Sequence, residues 1–272
     1  MRANPRRKAS AVTLAVCASL AFVTAGGVKD LGAAGIYYGP ATNVGNGTAR
    51  SYVTLNDDGT PDRVGFRLTA AALDGLTDDA GPGMTMQPFP LTLPPEADKT
   101  VFEHLVLDWN PHGHGPDGVF TKPHFDMHFY MIDARAVSEI TPMRLDYLVR
   151  ASNLPPAQSM PQDYAPPPGP ALFNTVPEMG LHWTDGAENM APGAYDFTET
   201  FMAGSWDGAY TFMEPMMTRE WLLTKPTLDR AVKQPQTYPK AGYYPTTYSV
   251  RYDDSTNEYL VELGGMQMKP AP

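Results

Sequence analysis

Cysteine is almost absent from the sequence, because its 272 residues include only Cys17. One thiol cannot form an intrachain disulfide, and a thiolate-based structural zinc site needs several cysteines. Any metal site or catalytic group must therefore be built from oxygen and imidazole groups.

Positive charge is also scarce, with 20 Lys and Arg against 30 Asp and Glu and a formal net charge of -10. Proteins that bind nucleic acid neutralise its phosphates with a basic surface. The charge balance therefore excludes nucleic acid as a partner, and it disfavours anionic membrane surfaces.

Familiar catalytic motifs are missing as well. The sequence has no Gly-x-Ser-x-Gly elbow, phosphate loop, dinucleotide fingerprint or His-Glu-x-x-His pair. Its hydrophobic fraction of 42% and charged fraction of 18% nevertheless exclude an intrinsically disordered chain. The sequence thus predicts a folded protein and leaves open whether it is an enzyme.

A basic start followed by an apolar stretch marks the N-terminus. Four basic residues precede the uncharged run 11–25, which ends in small residues. These are the parts of a secretory signal peptide, and the run is shorter than the roughly 20 residues that span a membrane. We predict a signal peptide over residues 1–25 and export to the periplasm or the extracellular space. The mature chain would have no membrane span.

Short β-rich segments divided by turn residues make up the rest of the chain. Residues 26–47, rich in Gly and Ala, predict an irregular lead-in. Segments 48–55 and 63–68 predict a hairpin, and alternating Tyr and Val residues in 248–263 predict another. The fold class predicted is mainly β or α+β, with a curved antiparallel sheet or a barrel and a few short helices.

Proline is concentrated in residues 154–170, which contain seven of the 28 prolines. This composition favours an extended, polyproline-like segment. The segment is either a domain boundary or a crossing loop. Because strand-like patterns resume beyond it, we predict a single globular domain over residues 48–272, with 154–170 as a crossing loop.

Histidine placement is the most informative feature. Four of the six histidines fall within 17 residues, and a fifth is His182. Alternating polar and apolar residues in 124–131 favour a strand with His124, Asp126, His128 and Tyr130 on one face. The alternative is a helix that begins at Pro123.

The geometry of a strand limits which histidines can share an ion. On a flat strand His124 and His128 lie about 13 Å apart, too far for two bonds to one tetrahedral ion. A bulge, a barrel wall or the helical alternative would bring them closer. We predict a site formed by His114, one or both strand histidines, and a distant residue such as His182 or Glu214. Asp126 would be a ligand or would orient an imidazole.

Four segments resemble the motifs of a family of exported bacterial proteins of unknown function. The motifs are Asn-Pro-x-Gly-His, Pro-His-Phe-Asp-x-His-Phe-Tyr, Met-Gly-x-His-Trp and Phe-x-Glu-Pro-Met-x-Thr, and they stand at residues 110–114, 123–130, 179–183 and 212–218. The resemblance covers Thr48 to the C-terminus. It implies a polar cluster of His114, His124, Asp126, His128, His182 and Glu214, and it implies no substrate.

Two functions follow from these residues. In the first, a divalent metal is held by His114, His124, His128, His182 and Glu214, with Asp126, Tyr130 and Trp183 around it. Zinc is expected first, with copper, iron and manganese as alternatives, and in an enzyme the metal would activate water or polarise a substrate oxygen. In the second, a metal-free polar pocket with the aromatic residues Tyr130 and Trp183 binds a small molecule or a protein partner without catalysis. The sequence specifies neither that partner nor an oligomeric state.

Overall fold

Antiparallel β-strands carry most of the structure. The computed structural model describes Met1 and residues 33–80, 84–191 and 193–271, so that the rest of the predicted signal peptide lies outside the described residues. Residues Gly32–Pro272 form one compact unit. Its strands are β1 (Gly35–Tyr38), β2 (Thr42–Val44), β3 (Gly47–Leu55), β4 (Pro61–Thr69), β5 (Gln87–Leu91), β6 (His104–Asn110), β7 (His124–Tyr130), β8 (Tyr164–Ala165), β9 (Thr175–Val176), β10 (Gly180–Asp185), β11 (Glu199–Trp206), β12 (Ala209–Thr218), β13 (Leu228–Ala231), β14 (Gly242–Tyr244), β15 (Thr247–Asp253), β16 (Glu258–Gly264) and β17 (Gln267–Lys269).

Helices are short and lie between the strands. They comprise α1 (Ala134–Ser138), α2 (Tyr147–Ser152), α3 (Ala171–Asn174), α4 (Arg219–Leu223) and the 3-10 helices Ala70–Leu73, Pro95–Lys99 and Ala157–Ser159. None of the described helices is long and apolar enough to cross a membrane.

The strands form two large sheets and one small pair. The first sheet has the order β1-β3-β4-β16-β15-β13, with β2 also beside β3. The second has the order β5-β6-β7-β12-β11-β10-β8, with β9 also beside β10, and β14 pairs with β17. The prediction of a mainly β, antiparallel fold with a few short helices is confirmed.

The barrel-like alternative is not found. Within the described ranges the outer strands of each sheet do not pair with one another, so both sheets stay open. Strand β5 shows one physical reason. Pro88 and Pro90 leave this strand without two of its backbone N–H donors and point to solvent, which suits an edge strand.

The two large sheets pack face to face, and the main hydrophobic core lies between them. The Phe66 ring of β4 meets the Phe129 ring of β7 edge-on, with centroids 5.0 Å apart. Farther along, Phe201 of β11 contacts Tyr248 of β15 at 5.1 Å. The period of two along each strand therefore assigns one side of the second sheet to the core and frees its other side for polar residues.

Strand β7 confirms the strand prediction for residues 124–130, and the helical alternative is wrong. It lies in the middle of the second sheet, with β6 on one side and β12 on the other. Apolar Phe125, Met127 and Phe129 face the inter-sheet core. All seven residues of the strand are buried, because the polar face is covered as well.

The N-terminal segment is more regular than predicted. The strands β1 and β2 both fall within residues 26–47, where an irregular lead-in was expected, and both pair with β3. Only residues 45 and 46 separate β2 from β3, whereas β1 pairs with the far end of β3, from Tyr52 to Leu55. The Gly- and Ala-rich composition of 26–47 gave no sign of either pairing. In the Pro-rich segment 154–170, β8 pairs with β10 at the edge of the second sheet.

Replacing Phe129 with alanine should destabilise the protein strongly. Its side chain is 0% exposed and contacts both Phe66 and Phe102. Loss of such a ring from a packed core costs about 3–5 kcal/mol. Urea unfolding should show this loss, whereas Leu148→Ala, at a side chain 61% exposed, should change stability by about 0.5 kcal/mol or less. Equal effects of the two changes would contradict the two-sheet core.

Candidate metal centre

Polar side chains gather on the face of the second sheet that points away from the first. Strand β7 contributes His124, Asp126 and His128, which alternate with the core residues of the same strand. The neighbouring strands β6 and β12 add Asp108, Asn110 and Glu214 on the same face, and β10, two strands beyond β12, adds His182. Apart from His182, these residues are 3% exposed or less.

The loop between β6 and β7 closes over this face and brings in His114. The His114 backbone N–H donates to the Phe120 carbonyl at 2.9 Å. Just before it, Gly113 has φ +68°, and a Cβ there would lie 2.2 Å from the Phe120 carbonyl oxygen. Only glycine fits this turn without strain, so Gly113 sets the path that delivers the imidazole.

Three of the side chains form a first group, His114, His124 and Asp126, whose ligand atoms lie within 4.8 Å of one another. The Asp126 carboxylate lies between the two imidazoles. Its Oδ2 is 3.2 Å from His114 Nε2, and its Oδ1 is 3.0 Å from His124 Nε2. Asn110 Nδ2 also donates to Asp126 Oδ2 at 2.8 Å, which orients the carboxylate.

A second group, His128, His182 and Glu214, repeats the arrangement with ligand atoms again within 4.8 Å. Glu214 Oε1 is 3.4 Å from His128 Nε2, and Glu214 Oε2 is 3.3 Å from His182 Nε2. Each group thus offers two imidazole nitrogens and one carboxylate.

Hydrogen bonds at Nδ1 orient three of the four imidazoles. His124 Nδ1 lies 2.6 Å from the Lys122 carbonyl oxygen, and His114 Nδ1 lies 2.7 Å from that of Gly115. A carbonyl only accepts, so each Nδ1 carries the proton and donates it. His128 Nδ1 makes the matching contact with Asp108 Oδ2 at 3.1 Å. This tautomer presents Nε2 to the carboxylate of its group, as in histidines that bind metal ions.

Four buried atoms of the two groups make no well-aligned hydrogen bond within the described part of the chain, although each lies 3.0–3.4 Å from another ligand atom of its group. They are His124 Nε2, His128 Nε2, Asp126 Oδ1 and Glu214 Oε2. In neutral imidazoles with a protonated Nδ1, each Nε2 presents a lone pair, as the carboxylate oxygens do. Burying such acceptors unpaired costs free energy, and a proton or a metal ion placed between them removes that cost.

The charges of the carboxylates favour protonated imidazoles. Burial alone would lower the pKa of His114, but the hydrogen bond and charge of Asp126 outweigh it and raise that pKa to about 9. For His128, burial is likewise outweighed, by Glu214 and Asp108, and its pKa also rises to about 9. Conversely, burial would raise the pKa of Asp126, yet His124 and His114 hold it well below its usual range.

Both groups face one cavity of about 570 Å³. Its lining includes His114 and Asp126 from the first group and His182 and Glu214 from the second. Two His and one carboxylate are a known zinc ligand set, which leaves a fourth position for water or substrate. A metal held by either group would therefore have access to the cavity.

Compared with the sequence predictions, the structure divides the five predicted ligands between two groups. The cause is the spacing along β7, where Asp126 joins His124 and the next polar position, His128, reaches Glu214 instead. Asp126, predicted as a ligand or an orienting residue, belongs to the first group. Tyr130, predicted beside the site, stacks on the His128 ring with centroids 5.2 Å apart.

Trp183 lies apart from both groups. It follows His182 in β10, so its side chain points to the opposite face, joins the inter-sheet core and donates from Nε1 to Ser205 Oγ at 2.8 Å. Strand alternation makes this placement necessary once His182 faces the site.

Sequence reasoning missed Asp108 and Asn110 as site residues. They lie at the end of strand β6, opposite Asp126 and His124 in the sheet. Their signal in the sequence was two polar residues two positions apart, directly before the loop that carries His114.

The fold and the site together define an antiparallel, two-sheet β protein with paired His/carboxylate groups on one sheet face. A family model described as "TTHB210-like: Hypothetical protein TTHB210" matches residues 56–109, less than half of the chain. The matched segment includes β4, β5 and Asp108 of β6, and it contains none of the six residues of the two groups. No curated protein and no solved structure matches the chain.

Zinc binding at about pH 7 should release protons, because imidazoles with a pKa of about 9 must lose a proton before they bind a metal. Titration calorimetry in buffers of different ionisation enthalpy measures the number released. The apparent zinc affinity should rise by about tenfold per pH unit for each proton displaced, up to pH ~9. The exposed His112 lies outside both groups, so His112→Ala should behave like the wild type. A binding enthalpy that is the same in every buffer would contradict this account.

Proposed function

We propose that this chain is an exported metal-binding protein whose two His/carboxylate groups each hold a divalent cation. The observation that carries the proposal is the set of four buried atoms that make no well-aligned hydrogen bond and lie 3.0–3.4 Å from another ligand atom of their own group. Export is supported by the signal-like residues 1–25 and by the resemblance to exported bacterial proteins.

Zinc suits the ligands best. Imidazole nitrogen is a preferred ligand of zinc, copper and iron, and the chain has no cysteine outside residues 1–25 to favour softer ions. Manganese and magnesium prefer sites with more oxygen ligands. The bound metal would supply a Lewis acid next to the cavity. The protein's own part is to hold the imidazoles in one tautomer, through Asp108 and the carbonyls of Lys122 and Gly115.

A metal-free ligand pocket is the second candidate, and the short distances between imidazoles and carboxylates favour it. His114 Nε2 lies 3.2 Å from Asp126 and His128 Nε2 lies 3.4 Å from Glu214, so that protonated imidazoles, whose pKa these carboxylates raise, would form ion pairs without any metal. In that case the cavity would bind an organic ligand through these charged pairs.

The number of metal ions per chain distinguishes the two candidates. Untagged wild-type protein should bind about two zinc ions, one for each group. His124→Ala and His182→Ala each break one group and should leave about one zinc ion, and the double variant should leave none. Elemental analysis after dialysis gives the count.

Thermal unfolding provides an independent measure of the same binding. Zinc at 100 times its Kd should stabilise the wild type by about 2.7 kcal/mol per site, and a chelator should remove this gain. His112→Ala is the matched control and should keep both ions. Substoichiometric metal in every variant, with melting temperatures indifferent to chelator, would contradict the metal proposal and favour the metal-free pocket.

A further inference from the structure

The cavity beside the two groups has a chemically divided wall. One part consists of His114, Asp126, His182 and Glu214. Most of the remaining lining is apolar, and it includes Val119, Phe120, Met179, Met190, Met202 and Met216. A ligand that fills this space must therefore present a polar group to the His/carboxylate groups and apolar surface to the rest.

Basic side chains are missing from this wall. Among the described residues that line the cavity, none is Lys or Arg. Proteins that bind phosphate esters and other multiply charged anions commonly surround them with Arg or Lys. Here the divalent cation of each group, offset by the one carboxylate of that group, would leave a charge of about +1 per site. A singly charged oxygen group bound at one site balances that charge, and the Arg or Lys that commonly accompanies a phosphate ester is missing from the described lining.

The apolar part of the wall is adaptable. Five methionines line the cavity, Met86, Met179, Met190, Met202 and Met216. Methionine side chains are flexible and polarisable, and they adjust to apolar partners of different shapes. The volume of about 570 Å³ lies in the usual range for sites that enclose a small organic molecule.

We propose that the cavity binds a small, largely apolar molecule that carries one metal-ligating oxygen group, such as a carboxylate or an ester. This inference rests on the proposed metal sites and names the ligand class that they serve. The head group is fixed by the metal ions, while the tail is selected by apolar contact and tolerates variation in shape.

A series of straight-chain hydroxamates from acetohydroxamate to octanohydroxamate tests the inference, because every member shares one metal-binding head. Binding is measured by calorimetry on the zinc-loaded full chain, whose zinc content is determined on the same sample. The affinity should rise roughly fourfold for each added methylene until the cavity is filled. Octanamide keeps the chain but lacks the chelating head, and it should bind at least about tenfold more weakly than octanohydroxamate.

Variants place the tail in this cavity. Met190 lines the cavity and is half-buried, so Met190→Glu puts a charge into the apolar wall at small risk to folding. It should flatten the dependence on chain length. Val176→Asp, at another lining residue that is 37% exposed, should have the same effect. It provides a second test in case the Met190 variant does not fold. The matched control is Met143→Glu, at a side chain that is 92% exposed and outside the cavity, which should leave the series unchanged.

The outcomes separate this inference from the proposed function. Zinc-loaded protein that binds every hydroxamate equally well would overturn the apolar ligand class and leave the metal sites standing. Equal binding of octanamide and octanohydroxamate would overturn the role of the head group. Wild-type protein that binds no zinc would overturn both the metal proposal and the proposed ligand class.

Discussion

The rest of the site depends on the burial of Asp126 and Glu214 between imidazoles. A carboxylate removed from water is costly unless a cation or a donor compensates it. Here each carboxylate lies 3.0–3.4 Å from the Nε2 atoms of two histidines. Either protons or metal ions must occupy these gaps, and the tautomers set by the Nδ1 contacts leave both options available. Metal binding and proton release are therefore thermodynamically coupled.

The register of strand β7 places its polar residues together on one face of the sheet. In β7 one set of alternate residues packs on the first sheet and the other set carries His124, Asp126 and His128. A slip by one residue would exchange the two sets and would bury the ligands in the apolar core. The open edges of the sheet do not disturb this arrangement, because β7 lies between β6 and β12 in its middle.

Features set by local pattern could be predicted from the sequence, and features set by distant contacts could not. Alternation predicted β7, and turn residues predicted the hairpins β3–β4 and β15–β16. The division of the ligands into two groups depends on where β12 and β10 lie in the sheet relative to β7, which no local pattern encodes. For the same reason the pairing of β1 with β3 was not foreseen. Trp183 was assigned to the pocket by its proximity to His182 in sequence, whereas alternation places it on the opposite face.

A crystal structure of the zinc-soaked protein, with anomalous scattering measured at the zinc edge, tests the central claim most directly. The account predicts two zinc peaks. One should be bonded to Nε2 of His114 and His124 and to Asp126, and the other to Nε2 of His128 and His182 and to Glu214, with bonds of about 2.0–2.2 Å. The absence of any peak between these side chains, with the imidazoles still paired to the carboxylates, would contradict it.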